Sequence, residues 1–199
     1  MINEQAKQRL EDWIAREWNS IDFPKTVIKT NIDVYQFLKT EYKKGQVIEN
    51  SLFRWVFSAF YGMSRVVTLG AQEVFFNRFD DLRETHIQLD PRAITEELHN
   101  SMGKYYFSFV TKMLNMFDDE AFPIFDSQVS AVFEKPLQRG ETRLAHQNSI
   151  YQDIRDTYLS LESHAIIKEF RERFNCPDVG YMKILDTLFW RIGKTLLED

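Results

Sequence analysis

The apolar residues of this chain recur at the spacing of α-helices. Residues 3–18 read as a charged amphipathic helix, and a second helix ends near Gly45. From residue 106 the apolar positions fall at i, i+3, i+4, i+7, i+8 and i+11, which is one stripe on one helix: Tyr106, Phe109, Val110, Met113, Leu114 and Phe117. A last stripe closes the chain, formed by Ile184, Leu185, Leu188, Phe189, Ile192 and Leu196. The predicted class is therefore all-α.

The segments between these stripes complete the predicted layout. Residues 51–63 are apolar on most sides, so we expect them to run through the centre of the domain. Residues 23–31 read as a connector and residues 135–143 as a polar loop. Two or three helices cover residues 144–174, and Pro177 ends them because proline cannot continue a helix.

Length and composition favour one domain. A chain of 199 residues with 44% apolar and 15% aromatic residues can bury a substantial core. No stretch between residues 20 and 180 is rich enough in Gly, Ser or Pro to serve as a flexible tether. We predict a single helical domain over residues 1–199, built from two closely packed lobes: residues 1–90 with the C-terminal helix, and residues 91–175.

Charge and cysteine content exclude several kinds of binding site. The net charge of −5 gives no global basic field, which argues against non-specific nucleic-acid binding but permits a local basic face. With Cys176 as the only cysteine, a disulfide, a multi-cysteine zinc site and a Cys-ligated iron–sulfur cluster are excluded within one chain. No two histidines have the spacing of a zinc site. We expect no metal or cofactor.

The N-terminal sequence and the apolar runs predict a location. Residues 1–13 are charged throughout and contain no apolar signal core. No run approaches the roughly 18 apolar residues that span a membrane. We therefore expect a soluble, cytoplasmic protein with no membrane partner.

Two aspartates stand where helices begin. Asp90 precedes Pro91, which predicts an N-cap followed by proline in the first turn. Asp126, within the run EAFPIFDSQV at residues 120–129, precedes a predicted helix that starts near Ser127. Its side chain can cap that helix, and the same ionised carboxylate can do chemistry. Both roles stay open from the local sequence alone.

Upstream of Asp126, the order of elements suggests a binding turn. Gly103, twenty-three positions earlier, separates two predicted helices in the run SMGKYY. A glycine there lets the backbone turn sharply and direct bare amides at a phosphate. The order is helix, Gly turn, helix, loop, Asp, helix.

This order resembles the helix-hairpin-helix DNA glycosylase superfamily, in which a Gly-rich hairpin grips the DNA backbone and an aspartate about twenty residues later opens a helix. Residues 122–129, FPIFDSQV, are similar to the Phe-Pro-Ile-x-Asp-x-x-Val run of its adenine glycosylases. Residues 53–63, 111–117 and 183–190 also resemble small bacterial proteins grouped with the oxidised-guanine glycosylases. The match in motifs covers roughly residues 100–133, and elsewhere the resemblance rests on general pattern.

The chain departs from that pattern at the hairpin. The usual Leu-Pro-Gly-x-Gly reads NSMG at residues 100–103, so one glycine and the proline are missing, and the connector before Asp126 is a few residues longer. Lyase-competent members place a lysine where Tyr105 stands, with Lys104 one residue early and Lys112 two turns later. The resemblance therefore implies a monofunctional enzyme without a Schiff-base lysine.

Taken together, these features predict a DNA glycosylase-like protein. An ionised Asp126 would stabilise the positive charge that builds on the sugar, or activate water, during excision of a damaged or mispaired base. The predicted DNA contacts comprise the turn and nearby basic residues: Met102, Gly103, Lys104, Tyr105, Lys112, Lys135, Arg139 and Arg143. Aromatic candidates for stacking on an extruded base are Trp55, Tyr61, Tyr105 and Trp190.

Each of these assignments has a structural alternative. The basic residues can be ordinary solvated charges, Lys112 can extend its stem over apolar neighbours, and the aromatic residues can belong to the core. The rival for the whole chain is a non-catalytic helical DNA-binding or protein-interaction module that retains the glycosylase scaffold. The incomplete hairpin, the acidic pI near 5.5 and the missing lysine favour that rival.

Overall fold

A computed structural model describes residues 1–20, 25–84, 89–135 and 141–198, and these residues form helices, turns and loops without a strand. The predicted all-α class is confirmed. The α-helices are α1 (Glu4–Trp13), α2 (Lys25–Lys44), α3 (Ser51–Phe60), α4 (Leu69–Glu84), α5 (Pro91–Met102), α6 (Phe107–Phe117), α7 (Ser127–Phe133), α8 (Arg143–Ser160), α9 (Ala165–Phe174) and α10 (Tyr181–Glu198). A π-helical turn, Ile14–Trp18, continues α1, and a 3-10 turn, Met63–Arg65, precedes α4.

Polar side chains cap most of the helix starts. Asn3 accepts a hydrogen bond from the Ala6 amide, and Thr142 accepts one from the Ala145 amide. Asp90 caps α5 through the Arg92 amide, with Pro91 in the first turn, as the sequence predicts. Each such cap contributes about 1 kcal/mol because it satisfies an amide that has no partner within the helix.

The centre of the molecule is α6, not α3. Every residue of α6 from Phe109 to Met116 is buried, so this helix is enclosed on all sides. The prediction that residues 51–63 run through the centre is wrong: α3 buries Phe53 and Phe57, whereas Trp55 is 71% exposed. Its aromatic residues occupy two faces, and only one of them packs against the core.

The predicted connector at residues 23–31 is helical from Lys25 onward, and residues 23–24 lie outside the described part of the chain. Ile28, Ile32 and Tyr35 follow at helical spacing and are all buried. Tertiary burial of this stripe outweighs the low intrinsic helix propensity of the threonines and β-branched residues around it.

Buried apolar residues from α1 through α10 join in one core. Helix α1 packs against α7, α8 and α10, whereas α2 packs against α3 and α6. The division into the lobes 1–90 and 91–175 stays a prediction.

Two glycines fix α10 against the loop and helix that carry Asp126. A Cβ added to Gly180 would lie 2.2 Å from the backbone oxygen of Asp119, and one added to Gly193 would lie 1.8 Å from the backbone oxygen of Gln128. Only glycine permits backbones to approach this closely. Helix α10 therefore follows the chain from residue 119 to residue 128.

Candidate active site

Residues 122–126 run back along α6. The side-chain amide of Asn115 donates to the backbone oxygen of Phe122 at 2.7 Å, and the Phe125 amide donates to the Thr111 hydroxyl at 3.0 Å. The Phe125 ring then meets Phe107, the first residue of α6, with ring centroids 5.4 Å apart. Because this segment retraces α6 toward its start, Asp126 lies beside the first half of that helix, the half nearest Gly103.

Asp126 is the N-cap of α7. Its backbone is extended, with φ −144°, and its Oδ1 accepts a hydrogen bond from the Val129 amide at 2.9 Å. The capping role that the sequence predicts is confirmed. The side chain is neither fully buried nor fully exposed. Its catalytic role stays a prediction.

A short turn joins α5 to α6. Gly103 has the left-handed conformation, with φ +70°, and its amide donates to the backbone oxygen of His99 at 2.8 Å. Met102 is half-buried, whereas Gly103, Lys104 and Tyr105 are exposed. The Tyr105 ring stacks on His99 with centroids 3.9 Å apart. The turn therefore presents the Lys104 amine and an uncovered glycine backbone to solvent.

Lys112 lies inside the molecule. It is 8% exposed, and it makes no ion pair with any residue that the structure describes. Its Nζ lies 5.4 Å from the ring centroid of Tyr61 and 5.3 Å from that of Phe109. Burial lowers the pKa of Lys112, while the charges of Asp126 and Asp186 act in the opposite direction. The hydrogen bond between Phe125 and Thr111 brings the segment that carries Asp126 alongside the turn of α6 that carries this amine.

A buried pair of charges lies on α10. The Lys183 Nζ lies 2.8 Å from Oδ2 of Asp186, and both side chains are buried. Oδ1 of Asp186 has no hydrogen-bond partner among the described residues. Burial raises the pKa of Asp186 to about 6, and the negative charge of Asp126 adds to this rise against the opposing effect of Lys183.

Two tyrosines add further unpaired groups. The hydroxyls of Tyr61 and Tyr158 are buried and have no hydrogen-bond partner in the described part of the chain. Burial raises the pKa of both, and the charges of Asp186 and Asp126 raise it further. Both hydroxyls therefore keep their protons and are available as hydrogen-bond donors.

By contrast, a neighbouring network is closed. The Tyr35 hydroxyl donates to Asp119 at 2.9 Å, and Lys39 pairs with the other carboxylate oxygen at 2.9 Å. The Gly180 amide also donates to Asp119, at 3.0 Å. Because Asp119 has these three partners, we assign it to the structure of the fold.

The basic residues predicted to contact DNA fall into different environments. Lys104 and Arg143 are exposed. Lys135 is engaged: its Nζ lies 2.6 Å from the Ser149 hydroxyl and 2.9 Å from an Asp153 oxygen. Arg139 lies outside the described residues. Of the predicted contacts, Lys104 and Arg143 are therefore open to solvent, whereas Lys112 is buried.

The aromatic candidates also differ. Trp55 and Tyr105 are exposed, and Trp190 is half-buried beneath the Lys194 amine, 5.6 Å from its ring centroid. The Tyr61 ring centroid lies 5.4 Å from the Lys112 Nζ. Sequence reasoning missed Lys183 and Asp186, although a lysine and an aspartate three residues apart within an apolar stripe were a usable signal.

Within the described ranges no three His, Cys, Asp or Glu side chains are grouped to hold a metal ion. None of the described helices has the length and apolar character needed to cross a membrane.

The sequence matches no protein-family model, no curated protein and no solved structure.

Proposed function

We propose that this protein is a DNA glycosylase-like enzyme that excises a damaged or mispaired base. The observation that supports this most directly is the hydrogen bond from the Phe125 amide to Thr111, which brings the segment that carries Asp126 alongside the turn of α6 that carries the buried Lys112. The resemblance of residues 122–129 to adenine glycosylases supports the same reaction class.

In this proposal Asp126 acts on the sugar. Cleavage of the N-glycosidic bond sends the bonding electron pair to the departing base and leaves positive charge on C1′. A carboxylate beside that carbon stabilises the charge, or removes a proton from the water that attacks it. The unpaired hydroxyl of Tyr61, whose ring lies 5.4 Å from the Lys112 Nζ, supplies a hydrogen-bond donor nearby.

Lys112 gives the site a second reactive group. A buried amine with a lowered pKa has a larger fraction of its neutral, nucleophilic form. Its attack on C1′ would form a carbon–nitrogen bond as the bond to the base breaks, and opening of the sugar ring would then leave an imine. The monofunctional mechanism predicted from the sequence stays a prediction, and Lys112 is the residue that could overturn it.

The Gly103 turn is the proposed phosphate contact. Its left-handed glycine and exposed Lys104 support this assignment, although residues 100–103 lack the second glycine and the Gly103 amide donates to His99. Arg143, at the start of α8, adds an exposed positive charge.

The test is incubation of the purified protein with duplexes that carry oxidised, alkylated or mispaired purines, scored for abasic sites. The proposal predicts release of at least one base. Borohydride added during the reaction distinguishes the two attacking groups, because it reduces an imine to a stable protein–DNA bond. The matched variants are Lys112→Met and Lys194→Met. If Lys112→Met abolishes the trapped protein–DNA bond and Lys194→Met does not, Lys112 is the nucleophile. If the base is released but no bond is trapped, water is the attacking group.

A second candidate is a helical interaction module without catalysis. A groove of about 650 Å³ between α3 and α4 is bordered by Trp55, and by Leu69, which is 84% exposed. Exposed apolar side chains around a groove are typical of a protein-binding surface. No base release from any duplex, together with self-association that Trp55→Ser abolishes in light scattering, would favour this candidate.

A further inference from the structure

A cavity of about 600 Å³ lies between the start of α5, the middle of α8 and Phe122. Four polar residues of α8 line it, and their spacing of i, i+3, i+4 and i+7 places them on one face of that helix: Asn148, Tyr151, Gln152 and Arg155. Small-molecule sites are cavities of about 300–1,000 Å³ with a few convergent polar groups. This cavity therefore has the size and the lining of a binding site.

The polar wall of the cavity contains hydrogen-bonding groups that the protein leaves unused. Tyr151 is 1% exposed, yet its hydroxyl has no hydrogen-bond partner among the described residues, and the same is true of the buried Oδ1 of Asn148. Such groups are unfavourable when unpaired, because they have lost water without gaining a partner. Burial raises the pKa of Tyr151, so its hydroxyl keeps its proton and can donate. A ligand in the cavity would supply the missing partners.

Contacts with the rest of the fold hold the walls in place. The edge of the Tyr151 ring meets Phe107, with ring centroids 5.7 Å apart. Phe122, which also lines the cavity, is anchored through its backbone: its oxygen accepts from the Asn115 side chain at 2.7 Å, and its amide donates to the Asp118 oxygen at 3.1 Å. The cavity is therefore formed before any ligand binds, which lowers the entropic cost of binding.

Two charged groups that line the cavity indicate the kind of ligand. The Arg155 guanidinium is exposed and makes no ion pair with any residue that the structure describes, so it is free to bind a phosphate or carboxylate group. The Asp90 carboxylate, which caps α5 through the Arg92 amide, favours a ligand that presents an amino group to it. A ligand that carries both an anionic group and an amino group satisfies both residues.

We infer that this cavity binds a nucleotide whose base carries an exocyclic amino group. The side-chain amides of Asn148 and Gln152 each offer a donor and an acceptor, which is the pair of groups with which Asn or Gln binds the edge of adenine. The Phe122 ring offers a face on which a base can stack, and Arg155 binds the phosphate. Adenine is the base that fits these groups best.

The experiment is a titration of the DNA-free, ¹⁵N-labelled protein with deoxyadenosine 5′-monophosphate, followed by nuclear magnetic resonance of the backbone amides and by calorimetry. We expect shifts concentrated at residues 148–155 and at Phe122. Thymidine 5′-monophosphate is the matched ligand, because its base has no exocyclic amino group to donate to Asp90. It should bind about tenfold more weakly, which is the effect of one lost hydrogen bond to a charged group.

Two variants test the polar wall. Arg155→Met removes the phosphate contact and should weaken binding of deoxyadenosine monophosphate by about tenfold or more. Tyr151→Phe removes the unpaired hydroxyl and should weaken binding by about three- to tenfold. Because that hydroxyl has no partner within the described protein, Tyr151→Phe should unfold at the wild-type temperature. The matched control is Arg65→Met, which removes an exposed arginine outside the cavity and leaves the affinity unchanged.

Shifts at residues 148–155, together with weaker binding in Arg155→Met, support the inference. No binding of deoxyadenosine monophosphate, shifts centred on Asp126 and Lys112, or equal binding by Arg155→Met overturns it. Arg155 is exposed, so this variant keeps the test available even if Tyr151→Phe fails to fold.

A short single strand of deoxyadenylate, titrated in the same way, identifies the source of the nucleotide. Binding of the monophosphate alone supports a site for a free nucleotide, and binding of the strand that Arg155→Met weakens supports a site for DNA. The described lining of the cavity includes neither Asp126 nor Lys112. A protein that binds the nucleotide but releases no base would therefore refute only the proposed function and leave this site standing.

Discussion

The contact between Gly193 and Gln128 can be tested by a single added methyl group. In Gly193→Ala the new Cβ would lie 1.8 Å from the Gln128 backbone oxygen and 2.6 Å from its carbonyl carbon. A backbone group cannot rotate away as a side chain can, so α7 and α10 must separate. Overpacking in a core costs about 1–3 kcal/mol, and we expect the upper end of that range here.

Helix propensity acts in the opposite direction. Alanine is favoured over glycine by about 1 kcal/mol inside a helix. The net loss is therefore about 2 kcal/mol in the free energy of unfolding, and for a chain of 199 residues this lowers the Tm by about 4–8 °C. The measurement is thermal and urea unfolding followed by circular dichroism at 222 nm.

Gly70→Ala is the matched control. Gly70 lies in α4, and a Cβ added there has no atom within 4 Å. We expect that variant to be as stable as the wild type or slightly more stable. Equal behaviour of the two variants would show that the close approach of α10 to α7 is absent in solution, and the placement of Asp126 beside α10 would lose its support.

Three further predictions concern the fold and the proposed DNA contacts. Tyr35→Phe removes the hydroxyl that donates to Asp119 at 2.9 Å, so we expect a loss of about 1–3 kcal/mol in urea unfolding. Gly103→Ala forces a side chain into the left-handed conformation at φ +70°, which costs about 1–2 kcal/mol in the same measurement. If the protein binds DNA, Lys104→Ala lowers the slope of log affinity against log salt by about 1, whereas Lys135→Ala leaves it unchanged because that amine is held by Ser149 and Asp153.

Each of these predictions has its own check. Tyr158→Phe is the control for Tyr35→Phe, because the Tyr158 hydroxyl has no partner among the described residues; equal losses in both would contradict the hydrogen bond to Asp119. Gly45→Ala, at an open position, should be neutral beside Gly103→Ala. A larger salt effect from Lys135→Ala than from Lys104→Ala would place the DNA contact elsewhere.

The apolar stripes predicted the helices well because their spacing reports burial directly. The stripe at residues 106–117 became α6, and the final stripe became α10. The capping aspartates at positions 90 and 126 were also readable, because a helix start needs an acceptor for its free amides. The prediction of the central helix was wrong. Aromatic residues make a half-exposed helix such as α3 look as apolar in sequence as a fully buried helix such as α6.

The site was less predictable because it is built from contacts distant in sequence. Asp126 and Lys112 were both named from the sequence, but the burial of the Lys112 amine depends on Tyr61, which follows α3. Lys183 and Asp186 are buried together on α10, which packs closely against residues 119 and 128 because Gly180 and Gly193 permit it. No local pattern encodes that approach, which depends on the three-dimensional fit of two backbones.

The central claim is that the Asp126 carboxylate performs chemistry in addition to capping α7, and Asp126→Asn tests it most directly. Asparagine caps a helix about as well as aspartate, so the variant should unfold at the wild-type temperature. The measurement is the single-turnover rate of base release from whichever duplex the wild type cleaves. We predict a loss of at least about 100-fold, which is the lower end of the contribution of a positioned acid–base group. A folded variant that releases the base at the wild-type rate would contradict the account.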